Sequence, residues 1–228
     1  MEFKQVEELN ERLVLVFSGT PRVAKNLLSC VLRRWSKHTD DSVSTMNQLV
    51  REAEEAALAI TSSFSQDNVD HNGMGLIEQL GKFMLEYRKH KKIMIGDGAE
   101  PREVTELINI LQKVNAISGA ILLGAGGGGF LALIAAKGLK GMDLKKLAEK
   151  EVSEKIKQHD MMISVPTTES RADLDDKKNT LLSIFENCTW HSCTVCEEGL
   201  QVGIVDSKAA FENDGFSLDW HKEGRLIQ

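Results

Sequence analysis

From Val114 to Ala136 the chain carries no charged residue, yet Gly119, Gly124, Gly126, Gly127, Gly128 and Gly129 all fall inside this stretch. At about 20 residues an uncharged segment can cross a bilayer as a helix. Each internal glycine, however, costs a helix about 1 kcal/mol relative to alanine, and four of these are consecutive. The segment instead divides into Ile117-Ser118-Gly119-Ala120-Ile121-Leu122-Leu123, a glycine loop, and Phe130-Leu131-Ala132-Leu133-Ile134-Ala135-Ala136. Two short apolar runs on either side of a turn predict two buried strands and argue against a membrane helix.

Gly124-Ala125-Gly126-Gly127-Gly128-Gly129 satisfies the pattern G-x-G-x-x-G. A dinucleotide-binding turn with that pattern joins a strand to a helix and needs an acidic residue about 20 residues on, at the end of the next strand. Here Asp143 and Glu149 fall within an amphipathic helical pattern, which argues against that fold. A phosphate-gripping lysine is missing too, because Phe130 follows Gly129 where a P-loop needs Lys and Ser or Thr. The spacing from Gly75 to Gly81-Lys82 is also wrong for one. Two readings of the tract stay open: a tight crossover in which backbone packs on backbone, or successive N–H groups that form an anion-binding nest.

Upstream, Leu13-Val14-Leu15-Val16-Phe17 ends at Ser18-Gly19 and predicts a short central strand buried on both faces. Thr20-Pro21 then predicts a helix start, with Leu27, Leu28, Val31, Leu32 and Trp35 at helical spacing behind it. Three more helices are expected: Asp41 to Phe64, Leu76 to Lys92, and Pro101 to Asn115, the last with Val104, Leu107, Ile108 and Leu111 on one stripe. Asp143 to Gln158 predicts another helix, Met161 to Val165 a strand, Pro166 to Lys178 a polar surface loop, and Thr189 to Val205 a β-like region. Arg88-Lys89-His90-Lys91-Lys92 is expected to be a solvated helix end whose cations complement the macrodipole, with a phosphate contact as the alternative.

Composition narrows the function. With 28 Lys+Arg against 34 Asp+Glu, the net charge of −6 offers no global positive field for nucleic acid or an anionic membrane surface. Four cysteines are too few for a disulfide scaffold, and the first residues form no signal region, so a cytoplasmic setting is expected. Cys188, His191, Cys193 and Cys196 lie within nine residues but lack the paired-knuckle spacing of a structural zinc site. Ordinary buried thiols are the favoured reading, and no metal is assigned. His38, His71 and His90 lie in polar surroundings and carry no specific signal.

Three segments together carry a family resemblance. Leu15-Val16-Phe17-Ser18-Gly19-Thr20-Pro21-Arg22-Val23-Ala24-Lys25-Asn26-Leu27-Leu28, then Lys91-Lys92-Ile93-Met94 with Glu100-Pro101, and finally Leu123-Gly124-Ala125-Gly126-Gly127-Gly128-Gly129-Phe130 resemble the C-terminal half of a GHMP kinase. Within that superfamily they are most similar to the L-fucokinases. The resemblance spans roughly residues 13 to 137. It implies an α+β fold with helices on a small antiparallel sheet, a core over residues 1–165, and C-terminal strands and a tail over 166–228 that complete or extend the same domain. It also implies transfer of the γ-phosphate of ATP, with Mg²⁺, to the anomeric hydroxyl of L-fucose.

Carried over by the same resemblance, Gly124, Ala125, Gly126, Gly127, Gly128 and Gly129 would support the nucleotide phosphate loop. Ser18, Gly19, Thr20 and Arg22 would lie near the substrate. The chain has no Pro-x-x-x-Gly-Leu-Gly-Ser-Ser-Ala nucleotide motif. The catalytic acid and the magnesium ligand are therefore expected in a separate N-terminal kinase half. The other readings are a non-catalytic sugar-binding or regulatory domain, or a related kinase such as a heptose-phosphate kinase.

Overall fold

Short apolar strands and longer amphipathic helices give a mixed α+β architecture in the computed structural model, which describes residues 3–21, 24–37, 40–62, 74–96, 98–163 and 171–195. In chain order the elements are α1 (Phe3–Arg12), β1 (Leu13–Phe17), α2 (Ala24–Ser36), α3 (Asp40–Ser62), α4 (Leu76–Ile95), α5 (Arg102–Lys113), β2 (Ile117–Leu122), β3 (Phe130–Ala135), α6 (Asp143–Ile163), α7 (Arg171–Asn187) and β4 (Thr189–Ser192). The strands form one sheet in the order β2-β3-β1-β4, with every pairing antiparallel. No helix among the described residues is long and apolar enough to cross a membrane.

The two faces of the sheet are covered differently. Val14 and Val16 of β1, Leu131 and Leu133 of β3, and Ala120 and Leu122 of β2 pack with Leu107, Ile108 and Leu111 of α5, Leu144, Ala148 and Val152 of α6, and Leu181 and Ile184 of α7. These side chains form the main core. On the opposite face Leu9 of α1 and Ile77 of α4 cover Ile134, with Leu13, Leu80 and Met84 around them. That cover ends before Phe17 and Phe130, whose rings lie 5.4 Å apart, Phe130 being 41% exposed. The expectation that β1 is central holds. Full burial on both faces does not, because Leu13, Leu15 and Phe17 are only half-buried while Val14 and Val16 are sealed.

Helix α4 lies unusually close to the sheet. A Cβ on Gly81 would come within 2.5 Å of the Ser118 carbonyl oxygen, and one on Gly119 would come within 2.5 Å of Gly81 Cα. Glycine is needed on both sides for this approach. A buried arginine locks the same corner: Arg12 Nε donates to the Ala135 carbonyl at 2.9 Å, and its guanidinium meets Glu8 at 2.5 Å, Glu78 at 2.7 Å and Ser118 Oγ at 3.1 Å. One side chain thus ties α1 to β3, β2 and α4.

Four expectations are corrected. Met161–Ile163 is the last turn of α6 and not a strand, because a short apolar run fits a helix end equally well. Arg171–Lys178 begins α7 and not a loop, with Asp175, Asp176 and Lys177 exposed on its first turns. Pro21 is not helical, so the expected helix start at Thr20-Pro21 is not where α2 (Ala24–Ser36) opens. The stripe expected on α2 is also only partly inward, since Leu28, Leu32 and Trp35 are 56%, 60% and 40% exposed. Of the expected β-like region Thr189–Val205, β4 accounts for Thr189–Ser192, and residues 196–205 lie outside the described residues, as do 164–170.

Candidate functional site

The glycine tract is the loop of the β2–β3 hairpin, which fits neither a strand-to-helix dinucleotide turn nor a P-loop. Its backbone is knitted to two other segments. Gly129 N–H donates to the Thr20 carbonyl at 2.9 Å, and its carbonyl accepts from Ser18 N–H at 2.9 Å. Gly127 N–H donates to the Ala99 carbonyl at 2.8 Å, in the turn between α4 and α5. The fit excludes side chains. A Cβ on Gly128 (φ +142°) would lie 2.5 Å from the Thr20 carbonyl oxygen, and one on Gly127 (φ +75°) would lie 2.4 Å from Leu27 Cδ1.

Alternate amides of the tract face different fates. Those of Gly127 and Gly129 are spent on protein carbonyls, while those of Gly126 and Gly128, both buried residues, have no hydrogen-bond partner among the described residues. Buried N–H groups are almost always paired with protein, water or ligand, so an unpaired pair in one loop requires a cause. Backbone packing thus accounts for the Gly127 and Gly129 amides and leaves those of Gly126 and Gly128 without a partner among the described residues.

The basic run on α4 is not a solvated helix end. Lys91 Nζ donates to the carbonyls of Leu122 and Gly124 at 2.8 and 2.5 Å, which fastens α4 to the mouth of the glycine hairpin. Arg88 makes a two-pronged pair with Glu100 at 2.6 and 2.8 Å, Lys92 reaches Glu100 at 3.2 Å, and Thr105 Oγ1 donates to it at 3.1 Å. The Glu100 side chain is only 3% exposed. Burial alone would raise its pKa, but the hydrogen bonds and charges of Arg88 and Lys92 outweigh that and hold it below the usual value. Helix α4 and the turn carrying Ala99 are thereby fixed to each other beside the tract. Lys89 is the well-exposed member of the run.

Of the substrate-side residues, Ser18 is buried at 2% exposure, and its Oγ accepts from Thr20 N–H at 3.3 Å. Gly19 turns with φ +77° against Asn187, so α7 backs the turn. Arg22 lies outside the described residues. Beside this turn the half-open aromatic floor of Phe17 and Phe130 continues to His191, whose ring meets Phe130 edge-on at 5.7 Å. Sequence reading singled out the tract and the Ser18–Thr20 turn separately, and the fold brings them together. It missed Lys91 and Ala99 as the tract's other supports.

The cysteine segment behaves differently from a metal knuckle. Cys188 is buried at the end of α7, and burial, with the Glu103 charge added, pushes its thiol up to about 11. His191 is exposed on β4 and contacts Thr189 Oγ1 at 2.9 Å. Cys193 is half-buried, its pKa raised by burial, and Cys196 lies outside the described residues. A separate cleft of about 670 Å³ opens between α5, α6 and α7, lined by Arg102, Thr105, Lys155, Asp176 and Leu181 among others, and no tract residue borders it.

No family model matches the chain. The chain is similar to a bifunctional fucokinase/GDP-fucose pyrophosphorylase of Arabidopsis thaliana, with 24% identity over 163 residues. That alignment takes in 70% of this chain but 14% of the relative, so the chain spans about a seventh of that protein's length. Among solved structures it is similar to an L. major mevalonate kinase in complex with R-mevalonate, with a TM-score of 0.48 and 17% identity over 64% of this chain and 38% of that one. The sequence similarity supports a distant kinase-like relationship for the matched part of the chain.

Proposed function

We propose that this chain is the C-terminal part of an ATP-dependent L-fucokinase of GHMP type, which transfers the γ-phosphate of ATP to the anomeric hydroxyl of L-fucose. The observation that carries the reading is the pair of unpartnered amides at Gly126 and Gly128, held in a loop whose neighbours are fixed by Thr20, Ala99 and Lys91. The distant similarity to the Arabidopsis thaliana bifunctional fucokinase/GDP-fucose pyrophosphorylase supports the choice of L-fucose as the sugar.

The donor set decides which part of the nucleotide these residues suit. Backbone N–H groups suit phosphate oxygens, whereas Mg²⁺ takes carboxylate, phosphate and water oxygens. Magnesium would accordingly arrive on the ATP phosphates and neutralise charge that develops during transfer, with its protein ligand and the catalytic acid supplied by an N-terminal kinase half. This chain's own contribution is positioning, which with charge stabilisation is most of what phosphoryl transfer asks of a protein. In that role Gly124, Ala125, Gly126, Gly127, Gly128 and Gly129 back the phosphate loop, Ser18, Gly19, Thr20 and Arg22 border the sugar, and the Phe17–Phe130 floor offers an apolar face to it.

The test is ADP release from ATP and Mg²⁺ by the native gene product with L-fucose, D-galactose or D-mannose. Fucose-dependent release, lowered at least 100-fold by Gly128→Ala, is the expected result. Equal release with all three sugars, or none with any, overturns the reading.

A further inference from the structure

Helix geometry places residues four apart on one face, so Glu86 and His90 of α4 point the same way, and that way is towards Glu52 of α3. One ligand atom from each of the three lies within 4.8 Å of the others. Glu52 is the unusual member. Its side chain is 5% exposed, and its Oε2 has no hydrogen-bond partner among the described residues. Its other oxygen accepts from Gln48 Nε2 at 3.2 Å and lies 2.7 Å from His90 Nδ1, yet that nitrogen, also buried, makes no hydrogen bond. Glu86 has only a loose, exposed contact with Lys89 at 3.8 Å.

A buried carboxylate without a matching donor is costly, and an imidazole nitrogen pressed against it without a hydrogen bond leaves two such groups in one place. A cation placed between them satisfies both. We propose that Glu52, Glu86 and His90 form a binding site for a divalent transition-metal ion, with Zn²⁺ as the reference occupant and water completing its coordination. One imidazole and two carboxylates are an N/O donor set suited to Zn²⁺ and unlike the all-oxygen sets of Mg²⁺ and Ca²⁺. Around a tetrahedral ion with bonds of about 2.1 Å, ligand atoms sit about 3.4 Å apart, so the three groups close on the metal by side-chain adjustment alone. Gln48 helps to hold the Glu52 carboxylate through its bond to Oε1.

The site clamps α3 to α4. Because Lys91, the next residue after His90, fastens α4 to the glycine hairpin through Leu122 and Gly124, metal binding would rigidify the support of the tract without touching it. The cluster is separate from the cysteine segment that the sequence suggested as a metal ligand set.

The experiment is titration of the chelator-stripped chain with Co²⁺, followed by absorption, and with Zn²⁺, followed by calorimetry. The expected result is one ion per chain, a Co²⁺ spectrum free of thiolate charge transfer, affinity at least tenfold weaker in Glu86→Gln and His90→Ala, and no change in Cys193→Ser. The Glu86 side chain is 47% exposed, so Glu86→Gln keeps the fold even where changes at Glu52 would not. Absence of one-to-one binding, a thiolate band, or wild-type affinity in Glu86→Gln overturns the proposal.

Discussion

Gly129 and Thr20 are joined backbone to backbone by an N–H to carbonyl bond of 2.9 Å, and the carbonyl of Gly129 returns a bond to Ser18 at the same distance. Two loops separated by more than 100 residues thus behave as one rigid unit. The glycine loop could take no larger residue at the contact, since a Cβ on Gly128 would sit 2.5 Å from the Thr20 carbonyl oxygen.

Gly128→Ala is expected to lower stability by about 2–3 kcal/mol, combining a left-handed backbone with a clash against fixed backbone. Gly138→Ala is the control. Its φ is also positive, at +87°, but nothing lies within 4 Å of the new methyl, so the cost should stay near 1 kcal/mol. Urea denaturation of both variants checks the difference, and equal costs would remove the packing explanation.

Arg12 is 3% exposed and holds four partners on different elements. Arg12→Met should destabilise by about 3–5 kcal/mol, because Glu78 and the Ala135 carbonyl lose their counter-group. Glu8→Gln, at the exposed edge of the same network, should cost under about 1 kcal/mol. Thermal melts of the two variants would show the asymmetry.

How much of this was legible in the sequence depended on whether the signal was periodic. β1, β2, β3, α4 and α5 announced themselves through apolar runs and stripes such as Val104, Leu107, Ile108 and Leu111. Helix α1 gave no such signal, since among its described side chains Val6 and Leu9 are the apolar ones that reach the core, beside a buried arginine. Helix α7 opens on Arg171 and a cluster of Asp and Lys, a composition shared by loops and solvated helix faces. The glycine tract was visible as a motif, but its partners were not. The carbonyls of Thr20 and Ala99 act through backbone atoms, which leave no trace in residue identity, and Lys91 was one cation in a run of five basic residues.

Glu100 makes stability depend on acid. Its carboxyl is held below the ordinary value in the folded chain, so its contribution is complete above about pH 4.5 and is lost as pH falls through the folded value. Glu100→Gln should lower the melting temperature at pH 7 and flatten its decline on acidification below pH 4.5. A mutant whose acid limb matches wild type would contradict the assignment.

The cysteines should differ in reactivity. Cys188 is buried with its thiol pushed up to about 11, whereas Cys30 is exposed on α2. Iodoacetamide at pH 8 should label Cys30 in the native chain and leave Cys188 until the chain unfolds, as peptide mapping would show.

The most direct measurement of the central claim is amide NMR of the native gene product, with this part of it isotope-labelled, during titration with Mg²⁺-ATP and with L-fucose 1-phosphate. The account predicts that the Gly126 and Gly128 amides shift, while those of Gly127 and Gly129, already bonded to Ala99 and Thr20, move little. Saturating ligand that leaves Gly126 and Gly128 unmoved would contradict it.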